Sequence, residues 1–130
     1  METILAEATR VFLVEDSAPI RERLVGLLGE IAGVQVVGEA DTAADAAEGI
    51  LRTQPDTVVL DIRLAQGSGI DVLRAVHPRA PWIVFIVMTN FANPQYRKIC
   101  MEAGASHFID KSAEIAEIKR LVSSLVPVRH

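Results

Sequence analysis

Short aliphatic runs alternate with segments of helical periodicity along the chain. The runs are Arg10–Glu15, Val34–Ala40, Thr57–Asp61, Trp82–Thr89 and Ser106–Ile109, each of strand length. Several are apolar at successive positions instead of alternate ones, the pattern of a strand covered by helices on both faces. After the first run, Ile20, Leu24, Leu27, Leu28 and Ile31 fall on one helical face, with Ser17 as N-cap and Pro19 in the first turn. Thr42 with Asp45, and Ser68 with Asp71, have the hydroxyl-to-acid spacing of helix N-terminal caps. Asn93-Pro94 opens a fourth helix, and Gly104 sits where its left-handed terminus belongs. Ser112 precedes a fifth, with Ile115, Ile118, Leu121, Val122 and Leu125 on one face. The order βαβαβαβαβα predicts an α/β fold, a doubly wound five-stranded parallel sheet with right-handed crossovers.

Composition narrows the class. The chain has 130 residues, half of them apolar and 23% charged, which suits one globular domain with a real core. Cys100 is the only cysteine, so intramolecular disulfides and cysteine-based zinc clusters are excluded. The longest apolar run, Trp82 to Met88, falls far short of the roughly 20 residues of a bilayer span. No basic start leads into an apolar segment, so no secretory signal is expected. A net charge of −4 argues against a nucleic-acid surface. The expectation is a soluble cytoplasmic protein without direct nucleic-acid or membrane binding.

In a doubly wound sheet, ligands bind beyond the carboxyl ends of the strands. The first run ends in Glu15-Asp16, the third in Asp61 and the fourth in Thr89, and Lys111 follows the fifth within two residues. The second ends in Glu39-Ala40-Asp41, which is expected outside the cluster. Three carboxylates and one ammonium sum to −2 in one place, and carboxylates so close raise one another's pKa unless a cation compensates. An oxygen-only donor set without His or Cys suits a hard cation, and a sparse one suits Mg²⁺. A carboxylate nucleophile, a divalent ion, a lysine and a hydroxyl around an open space also meet the needs of phosphoryl transfer. Each residue has a plainer reading as well: Asp61 as a turn residue, Glu15-Asp16 as acids before a helix N-terminus, Thr89 as a strand terminus.

Five segments carry a resemblance: "VFLVEDS" at 11–17, "VVLDIRL" at 58–64, "GSGIDVL" at 67–73, "IVMTN" at 86–90 and "FIDKS" at 108–112. In this order, with 45, 28 and 22 residues separating Asp16, Asp61, Thr89 and Lys111, they resemble the response regulator receiver domains of the CheY-like family. The resemblance runs from Arg10 to Val126, with residues 1–9 as an N-terminal extension and 127–130 as a tail. It implies a flavodoxin-like sheet of strand order 2-1-3-4-5. It also implies a phosphoacceptor switch of a two-component phosphorelay, not an enzyme acting on an outside substrate. Asp61 would take a phosphoryl group from a sensor histidine kinase or a phosphotransfer protein. Asp16, Asp61 and the backbone carbonyl of Arg63 would bind Mg²⁺, with Glu15 acting mainly through a water on the metal. Lys111 would pair with Asp61 before transfer and with the phosphoryl oxygens after it. Thr89 would donate its hydroxyl to one of those oxygens, and Phe108 would be the aromatic that turns as Thr89 moves. The face of helix four, strand five and helix five would then change shape and meet a protein target, with a phosphorylation-dependent homodimer compatible with it.

The sequence departs from the family pattern in places. Ser112 follows the lysine where proline is usual, and a cis bond to a non-proline costs about 3–4 kcal/mol, so a trans bond is expected. Asn90 replaces a small residue after the threonine, and Arg63 and Phe91 flank the pocket, where they bear on phosphoryl lifetime. Ala65 stands where proline is common. Phe108 also fits a static core aromatic, His77 and His107 read as surface or packing residues, and Cys100 as a small core residue. The chain reads as a stand-alone receiver, or else as the excised front of a DNA-binding regulator. Two other classes stay open. A Mg²⁺-dependent phosphohydrolase would want D-x-D where Asp16-Ser17-Ala18 stands. A flavin or nucleotide module would want a Gly- or Ser/Thr-rich loop where "EDSAPI" puts acids.

Overall fold

The computed structural model describes residues 8–90, 92–111 and 115–126. The elements in chain order are β1 (Thr9–Val14), α1 (Ala18–Gly29), β2 (Val34–Ala40), α2 (Ala43–Thr53), β3 (Thr57–Leu60), α3 (Gly69–Val76), β4 (Val84–Thr89), α4 (Pro94–Glu102), β5 (His107–Asp110) and α5 (Ile115–Leu125). The five strands form one parallel sheet in the order β2-β1-β3-β4-β5, as the resemblance implies.

The continuous apolar runs are explained by two cores. Along β1, Val11 and Leu13 pack with Leu24, Leu28, Ile118 and Val122 of α1 and α5. Phe12 and Val14 point the other way, to Ile50, Val72, Leu73 and Cys100 of α2, α3 and α4. In β3 and β4 the same alternation holds: Val58, Leu60, Phe85 and Val87 lie on the second side, Val59, Ile86 and Met88 on the first. Side chains of successive strand residues go to opposite faces, so a strand helix-covered on both sides must be apolar at both parities. Cys100 is fully buried, and burial pushes its thiol pKa up.

The helix starts follow the local signals. Ser17 Oγ accepts from the Ile20 N–H at 3.4 Å, Thr42 Oγ1 from Asp45 at 3.2 Å and Asn93 Oδ1 from Tyr96 at 2.9 Å. Ser68 and Asp71 form a full reciprocal box, at 3.3 and 3.0 Å. Gly104 follows α4 with φ of +118°, and a Cβ there would run into the His77 ring, so His77 is a packing residue as expected. Ser112 falls outside the described residues, and with it the bond to Lys111 and the cap of α5.

One strand start is corrected. β4 begins at Val84, not at Trp82. The Ile83 N–H bonds back to the Ala80 carbonyl at 3.2 Å, closing a turn around Pro81, and Trp82 is 62% exposed on it. With its N–H spent on that turn, Ile83 gives the ladder no donor, so the apolar run begins before the strand does. Elsewhere boundaries move by one residue: β1 takes in Thr9, β3 stops at Leu60, and β5 runs one residue later than the sequence pattern suggests.

Candidate functional site

Three strand ends and the turn after β5 converge at one edge of the sheet. Glu15 leaves β1 with its N–H bonded to the Ala40 carbonyl of β2 at 3.0 Å. Its side chain is fully buried. Asp61 leaves β3 with its N–H on the Val14 carbonyl at 3.1 Å, and it is only 5% exposed. The Lys111 N–H bonds the Thr89 carbonyl at 2.7 Å, which ties the end of β5 to the end of β4. These backbone bonds continue the parallel ladder, so the register that pairs the strands also aligns their terminal side chains.

The lysine sits between the acids. Lys111 Nζ donates to Asp61 Oδ2 at 2.8 Å and lies 2.5 Å from Glu15 Oε1. The second contact is an ion pair at angles that make no hydrogen bond, so the buried Oε1 has a cation nearby and no directed donor. Glu15 Oε2 accepts from the Ser17 N–H at 3.0 Å, and Asp61 Oδ1 from the Arg63 N–H at 3.4 Å. Burial lifts the Glu15 pKa above its ordinary value, against the opposing pull of Lys111. Burial alone would lower the Lys111 pKa, but the close contacts with the Asp61 and Glu15 carboxylates and their charges outweigh it and raise the pKa.

The raised Glu15 pKa has a direct consequence. A carboxyl that prefers its neutral form in the fold adds stability below its ordinary value of 4.5 and loses it as pH rises through the shifted value. Without divalent metal, Glu15→Gln is expected to melt at a higher temperature than the wild type at pH 8. The gain should shrink toward pH 4, as differential scanning calorimetry at the two pH values will report.

Asp16, exposed at the rim, completes the acidic set. One carboxylate oxygen each from Glu15, Asp16 and Asp61 lie within 4.8 Å of one another. Sharing one Mg²⁺, whose oxygen ligands stand at about 2.0–2.1 Å, would require these oxygens to draw closer together. The donors are all hard oxygens, their charge exceeds that of Lys111, and one buried oxygen is undirected. The residues fit a magnesium ion.

The other expected site residues divide. Thr89 is fully buried at the end of β4, beside the cluster through its carbonyl bond to Lys111. Arg63 is exposed, in a loop bridged to Ser68, and Asn90 is exposed beyond β4. Asn90 and Lys111 line a small cavity of about 210 Å³ with Ile20, Leu24 and Met88. Phe91 lies outside the described residues. Phe108 is half-buried against the core behind β4 and β5. It also lines a concavity of about 740 Å³ between α4, β5 and α5. Glu15, Asp16 and Asp61 do not line that hollow, whose walls include Met101, Leu121, Arg97 and Arg120. Glu39 stays out of the cluster, as expected.

The loop after Asp61 depends on one close approach. A Cβ on Gly69 would overlap the Asp61 carbonyl oxygen and lie 3.0 Å from its carbon and 3.1 Å from Ile62 Cα. Its own N–H bonds the Ile62 carbonyl at 2.7 Å. Gly69→Ala is therefore expected to cost about 2 kcal/mol by urea unfolding, the usual scale of overpacking against backbone.

One contact had no signal in the sequence. Arg21, in the first turn of α1, donates Nη1 to the Glu15 carbonyl at 2.7 Å. Its Nε lies 3.3 Å from Glu39 Oε1. Charge patterns reveal pairs of side chains, whereas this bond goes to a backbone oxygen fixed only by the fold.

Residues 11–123 match the family model of the response regulator receiver domain. The DNA-binding transcriptional activator DevR/DosR of Mycobacterium tuberculosis is 34% identical over 116 residues, 89% of this chain and 54% of its own length. A protein-glutamate methylesterase/protein-glutamine glutaminase of Alkalilimnicola ehrlichii is 30% identical over 123 residues, 90% of this chain and 32% of its own length. The chain thus spans about half the length, or less, of these curated relatives. Among solved structures, the signal receiver domain of a response regulator NarL from Mycobacterium tuberculosis superposes with a TM-score of 0.85 at 30% identity. That likeness covers 95% of this chain and 99% of the other. Among the described residues, no helix is long and apolar enough to cross a membrane.

Proposed function

The chain belongs to the response regulator receiver domain family, and on that premise we propose that it is a magnesium-dependent phosphoacceptor switch whose acceptor is Asp61. The observation that carries the reading is the Glu15–Asp16–Asp61 cluster with Lys111 Nζ inside it. The donor is a phosphohistidine on a sensor kinase or a phosphotransfer protein. An Asp61 carboxylate oxygen attacks phosphorus, the P–N bond breaks, and the imidazole leaves. Asp16, Asp61 and the Arg63 carbonyl, supported by Glu15, would hold Mg²⁺, which offsets charge on the phosphoryl oxygens.

The chain's own groups then rearrange. The phosphoryl group brings roughly −2 charge and three acceptor oxygens. Lys111 passes from the Asp61 carboxylate to one of them, and the Thr89 hydroxyl turns to another. Room left by Thr89 lets Phe108 swing inward from its half-buried place, and the hollow between α4, β5 and α5 changes shape. The two packings coexist before modification, and the new contacts favour one of them. That face is the output surface for a protein contact.

A second reading is favoured by the match that covers only 54% of DevR/DosR: here the chain is the receiver of a longer DNA-binding regulator. Immunoblotting the native protein separates the two, because the stand-alone switch requires a species of 14.1 kDa. The shared core of both readings is tested by intact-mass measurement after acetyl phosphate treatment. One phosphoryl group is expected with Mg²⁺ and none with a chelator; equal labelling in both overturns the metal-dependent site.

A further inference from the structure

We infer that Arg21 is a positioning residue for the divalent-cation site: it fixes the Glu15–Asp16 peptide, and with it the direction of two of the three carboxylates. The inference rests on the magnesium reading given above. Arg21 stands one turn into α1, its N–H bonded to the Ser17 carbonyl at 2.8 Å. From there the guanidinium reaches back to the Glu15 carbonyl at 2.7 Å and sideways to Glu39 at 3.3 Å. Its side chain is 22% exposed.

The consequence lies in which peptide planes are held. The Glu15 N–H, on the Ala40 carbonyl, fixes the plane entering Glu15. The Glu15 carbonyl belongs to the next plane, the one that sets where Asp16 leaves the backbone. Arg21 is the side chain bonded to that carbonyl, and its planar fork also anchors it to the end of β2 through Glu39. The Ser17 N–H, one peptide further on, returns to Glu15 Oε2. Rotating the Glu15–Asp16 plane would disturb the Glu15 carboxylate and Asp16 together. Groups behind metal ligands that hold them in place typically govern affinity by 10–100-fold.

Charge and position predict opposite signs here. As a mere cation beside an acidic cluster, Arg21 opposes a divalent ion, and its removal would tighten binding. As an anchor it favours the ion, and its removal weakens binding. One measurement decides between them.

The melting temperature is followed against MgCl₂ for wild type, Arg21→Gln, Arg21→Lys and Glu39→Gln, and the apparent Kd is taken from the dependence. Arg21→Gln is expected to bind Mg²⁺ about tenfold more weakly. Arg21→Lys, which keeps a donor for the carbonyl, falls between it and wild type. Glu39→Gln, which loses only a half-exposed ion pair, stays within about twofold. A Kd that is unchanged or tighter in both Arg21 variants overturns the inference, and Arg21→Lys alone decides it if the Gln variant does not fold. A wild type whose melting ignores Mg²⁺ overturns the metal reading and this inference with it. A responsive wild type matched by both Arg21 variants overturns only the role of Arg21.

Discussion

Asp61→Asn, incubated with acetyl phosphate and Mg²⁺, is expected to take up no phosphoryl group. The amide has nearly the size of the carboxylate, and its oxygen can accept the Arg63 N–H that Asp61 Oδ1 accepts at 3.4 Å. What it lacks is a nucleophilic oxygen anion, and no change in packing restores one. Stability separates this loss from misfolding. The variant removes one of three crowded carboxylates, leaving the pocket nearer to neutral beside Lys111, so its melting temperature in chelator should not fall below that of wild type. Labelling of the variant at the wild-type level, seen as the same added mass, would mean that the acceptor lies elsewhere.

The second large effect belongs to Lys111. Removing one partner of a buried ion pair strands the other charge, at a typical cost of about 3–5 kcal/mol. Lys111 is 10% exposed and faces two acids, one of them fully buried. Lys111→Ala is therefore expected to lose about 3 kcal/mol by urea unfolding at neutral pH without metal. Three features identify the cause. The deficit shrinks in acid, where Glu15 takes up a proton. At one fixed MgCl₂ concentration the deficit also narrows, since the pocket without the lysine charge binds the cation more tightly than the wild type does. Adding Glu15→Gln recovers part of the loss, a coupling that a double-mutant cycle reads. In the wild type the raised Lys111 pKa stabilises the fold below about 10.5, and this is lost as pH climbs through the shifted value. A deficit independent of pH and of magnesium would mean that Lys111 acts by packing alone.

The sheet was legible because both parities of its strands are apolar, and the acids were legible because each stands one or two positions after such a run. Asp61 follows Leu60 as directly as Glu15 follows Val14, and parallel register brings both to the same edge. The Trp82 misreading marks a limit of the same logic. Hydrophobicity records burial, and Ile83 is buried although its N–H closes a turn on Ala80 instead of joining the ladder. The role of Arg21 was hidden for another reason, because its partner is a carbonyl that every residue owns. Phe108 is intermediate: its place on β5 follows from the spacing to Lys111, but its half-buried state depends on how α4 and α5 flank it.

The lone thiol of Cys100 has a practical bearing. It is sealed under α4 against the second core and held in its unreactive protonated form by that burial. Maleimide dyes and spin labels should pass it over in the folded protein. A reporter cysteine can therefore be installed at an exposed site such as Met101, on the rim of the hollow beside Phe108, without first engineering out the native one. The rearrangement proposed for that rim can then be tested in a chain whose interior is untouched.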